Sequence, residues 1–226
     1  ESNLLTFYLP YAVTMSYYII ILGAASLLLS SVTKEKENRV IEILMVSVTP
    51  RQLLTGKILG LGFVGLLQNL LWLGTGFVLL RLSGQTFSLP AVFQLPVSFL
   101  AWGLIFFLLG YAVYASLMAG LGALVPNMRE AGQATIVVIL PLMIPMLFIS
   151  ILIEDYNGPL AMGLSIFPLT APVAMMTRLA AGNIPTWQPA LAAVLLAATA
   201  AVIVRAVAGI FRAQTLLSGQ AFNFQR

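Results

Sequence analysis

The chain has no cysteine and no histidine, and only 8% of its 226 residues are charged. Without thiols there is no disulfide framework and no thiolate nucleophile, and without imidazole the commonest bases and zinc sites are gone as well. Seven carboxylates are all that remain for acid–base work. There is no phosphate-binding loop either: Gly56-Lys57 is followed by Ile58 rather than Ser or Thr, and Arg51 stands where the spacing needs glycine. An enzyme acting alone is disfavoured by these absences.

What the chain does have is apolar length. Hydrophobic residues make up 60% of it, and the mean hydropathy of +1.01 exceeds what a soluble domain can hide from water. Five segments, residues 5–32, 58–80, 97–125, 135–153 and 190–211, are long enough to cross a hydrocarbon core of about 30 Å as helices. The expected fold is therefore all-α: one polytopic transmembrane domain covering residues 1–226. Its spans hold almost no ionisable group, Arg205 lying one or two turns inside the last. Ion-coupled transporters need buried carboxylates or a relay, so energy for uphill movement must come from another subunit.

The net charge is +4, but its placement matters more than its size. Residues 33–57 carry five of the eleven basic and three of the seven acidic residues. With that segment in the cytoplasm, the same side receives Lys34, Lys36, Arg39, Arg51, Lys57, Arg129, Arg205, Arg212 and Arg226, and the other side keeps Arg81 and Arg178. This is a positive-inside distribution, with the first of the five spans running inward. Nucleic acid is not expected as a partner; the lipid bilayer is. The first residue is Glu1 and no signal-like region precedes the first apolar stretch, so an earlier span is expected if the natural N-terminus is cytoplasmic.

Within residues 33–57, Val40, Ile41, Ile43, Leu44 and Val48 recur at helical spacing among Lys36, Glu37, Arg39 and Glu42, which predicts a short amphipathic helix. Thr49-Pro50-Arg51-Gln52 reads as a capping box with proline at the first helical position, so a second helix starts at Pro50 and runs through Lys57 into the next span. A docking device and a solvated loop with an interfacial helix both fit this pattern. Residues 126–133 read as a tight turn carrying Arg129 and Glu130. The connection 154–189 contains two apolar pieces, 160–167 and 171–181, separated by Pro168 and Pro172 and stopped at Gly182-Asn183 and Pro185. Each is too short to span. A re-entrant pair dipping into the outer leaflet over residues 158–185 fits, and so does a surface loop with two interfacial helices. Gly56 with Gly60, and Ala115, Ala119 and Ala123, form small-residue stripes suited to close helix contact within or between subunits.

The run from Lys34 to Leu44, KEKENRVIEIL, followed by Thr49-Pro50 and by Gly56-Lys57 with Gly60, resembles the signature of type-2 ABC exporter permeases. Pro126-Asn127-Met128-Arg129-Glu130 resembles the family's cytoplasmic turn, and Phe167-Pro168-Leu169-Thr170-Ala171-Pro172 its outer re-entrant motif. The similarity covers the whole chain in order and is closest to the branch that includes sodium-exporting permeases, with the first span and its extracellular domain absent. The resemblance implies a coupling helix that docks on a cytoplasmic ATPase subunit through Glu35, Glu37, Arg39, Val40, Ile41, Glu42 and Leu44, with Glu42 as its central acid. It implies a cytoplasmic turn built on Asn127, Arg129 and Glu130, and an outer gate built on Phe167, Pro168, Thr170 and Pro172. It also implies a dimer of permeases, homo or hetero, in a prokaryotic plasma membrane. No cofactor is expected in this chain, ATP and Mg being bound by the partner ATPase. The alternative is a membrane scaffold that recruits some other cytoplasmic partner.

Overall fold

A computed structural model of the chain describes residues 2–82 and 97–218. Among these residues all regular structure is helical, in the order α1 (Ser2–Glu37), α2 (Val40–Ser47), α3 (Pro50–Leu82), α4 (Val97–Leu124), α5 (Met128–Leu147), α6 (Ile149–Glu154), α7 (Pro159–Ile166), α8 (Ala171–Ala181) and α9 (Trp187–Ser218). Four of them contain stretches long and apolar enough to cross a membrane: Leu9–Glu37, Ser98–Leu124, Met128–Leu147 and Trp187–Ala213. The expected span 58–80 lies within α3, a single helix of 33 residues, whose described apolar stretch is Gln52–Leu67. From residue 83 to residue 96 the expected connection 81–96 lies outside the described residues.

The centre of the bundle is α1 against α4, with α9 packed along α4 and α8 wedged beside both. Between lipid-soluble helices apolar surface gives little driving force, so close packing of small residues has to supply it. The core matches that requirement. Ala24 and Ala25 of α1 and Ala115, Ala119 and Ala123 of α4 are buried, interleaved with Ile21, Leu28, Phe106, Tyr114 and Met118. The alanine stripe thus works inside the chain, whereas a Cβ added at Gly56 or Gly60 would meet nothing. Large apolar side chains on the outer faces, such as Phe63 on α3, Val137 and Leu147 on α5 and Val194 on α9, are exposed, as expected of a multi-pass membrane protein.

Two boundaries differ from the sequence reading. The turn expected over 126–133 is shorter, because Asn127 is the N-cap of α5: its Oδ1 accepts from Glu130 N at 3.0 Å, and its Nδ2 donates to Glu130 Oε1 at 3.1 Å. A side-chain cap satisfies amides that would otherwise be orphaned, so the helix begins at once. The span expected over 135–153 is divided at Phe148. Pro141 and Pro145 each remove an amide donor from α5, and the chain leaves helical geometry three residues after the second.

Candidate functional site

The residues singled out in the sequence gather in two regions of the bundle. At the first, α1 continues unbroken to Glu37, so Glu35 and Glu37 belong to the last turn of α1 rather than to the amphipathic helix. The chain then turns through Asn38 and Arg39. Asn38 N donates to Lys34 O and Arg39 N to Lys36 O, each at 3.0 Å, and Arg39 takes a left-handed backbone with φ 58°. A non-glycine residue there is uncommon, and the conformation sets the angle between α1 and α2.

On α2, Ile41 packs against the core and Leu44 is half-buried, while Ile43 is 72% exposed and Val40 also faces outward. The side chain of Glu42 lies outside the described set. The capping box forms as expected: Thr49 N donates to Gln52 Oε1 at 3.0 Å, and Gln52 N donates to Thr49 Oγ1 at 3.3 Å. α3 therefore starts at Pro50. A short helix with apolar residues on two faces is thus hung between two long helices, one face held by the bundle and the other free.

Around it four charged residues, Glu35, Lys36, Glu37 and Lys57, are engaged. Lys57 Nζ of α3 pairs with Glu35 Oε1 and donates to Ser31 Oγ at 2.8 Å. Lys36 Nζ donates to the carbonyls of Ala123 and Val125, and Met128 N donates to Glu37 Oε1 at 2.8 Å. Arg129 is exposed at the start of α5.

At the other end, α7 and α8 form a helical hairpin. Its tip, Phe167 to Thr170, lies deep in the bundle: Tyr114 Oη donates to Leu169 O at 2.6 Å. Tyr114 is 17 residues from the start of α4, so the tip bonds to a residue whose backbone lies about 26 Å along that helix at 1.5 Å per residue. Pro172 rests on Gly110 of α4, where a Cβ would come within 2.7 Å of Pro172 Cβ. On α8 every residue from Ala171 to Arg178 is buried. Thr177 Oγ1 meets Thr14 Oγ1 of α1 at 2.6 Å. Of the expected gate residues, Thr170 is 1% exposed and donates to Leu164 O, Pro168 is half-buried, and Phe167 at the tip is 53% exposed.

One residue of this region escaped the sequence reading. Arg178 counts there as an outer loop charge, yet its exposure is 0%. Its guanidinium donates from Nε to Tyr156 O at 2.6 Å, from Nη1 to Ser165 Oγ, and from Nη2 to Gln188 Oε1 at 2.9 Å. One planar fork joins the loop after α6, helix α7 and the first turn of α9. The available signal was a lone basic residue inside an apolar piece too short to span. The helix stops at Gly182, as read, but with an extended backbone. Glycine is needed there because a Cβ would lie 2.5 Å from the Tyr156 ring.

The chain is similar in sequence to known proteins. The family model described as "ABC-2 family transporter protein" matches residues 1–208. The chain is 32% identical over 189 residues to Uncharacterized protein MJ1024 of Methanocaldococcus jannaschii, covering 82% of this chain and 44% of that protein. It is 29% identical over 230 residues to Uncharacterized protein YhaP of Bacillus subtilis, covering 96% of this chain and 53% of that one. The chain thus spans about half the length of these relatives. No solved structure matches it.

Proposed function

The chain belongs to the ABC-2 transporter family, and from that premise we propose that it is the membrane-spanning subunit of an ATP-driven exporter. In this reading α2 is the docking helix for a cytoplasmic ATPase, which binds the ATP and Mg, and a second permease subunit completes the path through the membrane of a prokaryotic cell. The observation that carries it is the mounting of α2. The helix is tied at both ends to long helices, with Ile41 and Leu44 turned inward and Val40 and Ile43 left outward. Such a helix can receive a push on its free face and pass it on. The α7–α8 hairpin serves as the outer gate, with Phe167, Pro168 and Thr170 at its tip and Pro172 in the first turn of α8. Glu42 is the central acid of the docking face on α2.

The test is co-purification of the full-length protein with an ATPase subunit bearing nucleotide-binding motifs. Ile43→Glu places a charge on the free face without touching the bundle. If that face is desolvated on docking, the loss is about 2 kcal/mol or more, roughly a thirtyfold drop in affinity. The variant is expected to insert normally and to lose the ATPase. Unchanged capture would remove α2 from the interface, and capture of a protein that is no ATPase would favour the scaffold reading.

A further inference from the structure

Lys34-Glu35-Lys36-Glu37 closes α1 with alternating charge. With 3.6 residues per turn, successive side chains diverge by about 100°, so this run reaches in several directions at once. Each of its last three members finds a different helix: Glu35 pairs with Lys57 of α3, Lys36 reaches the carbonyls of Ala123 and Val125 at the end of α4, and Glu37 takes the amide of Met128 at the start of α5. The signs follow from the helix ends. Unsatisfied carbonyls leave the C-terminus of α4 partly negative, and unsatisfied amides leave the N-terminus of α5 partly positive. Adjacent residues of α1 supply the cation for the first and the anion for the second.

The contact between α1 and α4 beneath this bracket is close. A Cβ added at Gly122 would stand 3.0 Å from Thr33 Oγ1 and 3.3 Å from Leu29 O. Meanwhile the Glu35–Lys57 pair joins the two helices between which α2 is hung, closing a ring from α1 through α2 to α3 and back.

We propose that Lys36 and Glu37 are positioning residues that clamp the α4–α5 turn to the ring carrying α2, so that one push on α2 moves the near ends of α1, α3, α4 and α5 as a body. Their side chains serve this internal tie and do not contact the ATPase, which takes Glu37 out of the docking set implied by the family resemblance. The inference rests on the reading of α2 as the docking helix.

The absence of native cysteine makes paired labelling clean. Spin labels at Ser47→Cys on α2 and Gly132→Cys on α5, both exposed, report the distance across the clamp in the full-length protein with its ATPase. In the otherwise unchanged protein that distance is expected to stay the same between the nucleotide-free and the ATP–Mg-trapped states. Adding Lys36→Met with Glu37→Gln is expected to broaden it and make it shift with nucleotide, while the ATPase still co-purifies. Lys36→Arg with Glu37→Asp, which keeps both charges, is expected to restore the fixed distance. A nucleotide-dependent shift in the unaltered background, or an unbroadened distance in the Met and Gln variant, overturns the clamp. Loss of the ATPase in that variant also overturns it, by making the two side chains docking contacts. If no ATPase accompanies the unaltered protein, the docking reading fails instead, and the broadening in the nucleotide-free state still decides for or against the clamp.

Discussion

Three segments of the chain converge on Arg178. A buried cation is retained only if its donors are satisfied, and here three acceptors on three elements share one guanidinium. Arginine suits the task because its donors are fixed in a plane, whereas the lysine ammonium is a point that cannot reach three separated acceptors at once. The two simplest replacements therefore rank in an unusual order. Arg178→Met takes a donor from Gln188, from the Tyr156 carbonyl and from Ser165, whose hydroxyl keeps its bond to Met162 O, at about 1–3 kcal/mol for each acceptor left truly dry, but it also removes the buried charge. Arg178→Lys keeps the charge and loses most of the bonds. Thermal unfolding in lipid nanodiscs is expected to rank Arg above Met and Met above Lys; a Lys variant as stable as the original would show that the fork geometry is immaterial.

The α7–α8 hairpin shows at the scale of an element how packing depends on a missing side chain. Pro172 of α8 sits where a Cβ on Gly110 would be, and the same Cβ would lie 3.1 Å from Ile21 Cδ1 of α1. Neither a proline ring nor a buried isoleucine can swing away, so Gly110→Ala is an overpacking change costing about 1–3 kcal/mol. The expected relief is outward movement of the hairpin, breaking the bond from Tyr114 to Leu169 O. A cysteine at Thr170, 1% exposed, is expected to react with a thiol reagent several-fold faster in the Gly110→Ala background; equal rates would mean that the bundle absorbs the methyl elsewhere. The break in this element was legible in the sequence because Pro168, Pro172 and Gly182 act locally. Its depth was not, since it depends on Gly110 and Tyr114, more than fifty residues earlier. The helix caps divide in the same way. Thr49 and Gln52 form the capping box that their spacing predicts, whereas Asn127 caps α5 where the sequence predicts a turn. The partners of Lys36 and Glu37 are helix ends whose proximity only the folded bundle creates.

For the whole molecule, the structure turns a count of charges into a geometry. Lys36 touches the end of α4, Glu37 the start of α5, and Glu35 the first turns of α3, so Lys34, Lys36, Arg39, Lys57 and Arg129 lie at one end of the bundle. α9 runs alongside α4 in the same direction: its Gln188 meets the α7–α8 hairpin, while its Val207 packs against Gly120 near the end of α4. Arg212, beyond Val207, therefore lies toward the same basic end. Arg178, assigned to the opposite side from sequence, is buried and adds no loop charge there, which sharpens the asymmetry. Basic residues close to the ends of spans are retained in the cytoplasm, so the end bearing α2 is expected inside and the loop between α6 and α7 outside. Ser47 and Asn157 are both exposed and lie at these opposite ends. Introduced singly as cysteines into a chain that has none, each gives a label without background. With a membrane-impermeant thiol reagent on intact cells, position 157 is expected to react and position 47 to react only after the membrane is opened. The reverse pattern would invert the bundle, put α2 beyond the reach of any cytoplasmic ATPase, and end the exporter reading with it.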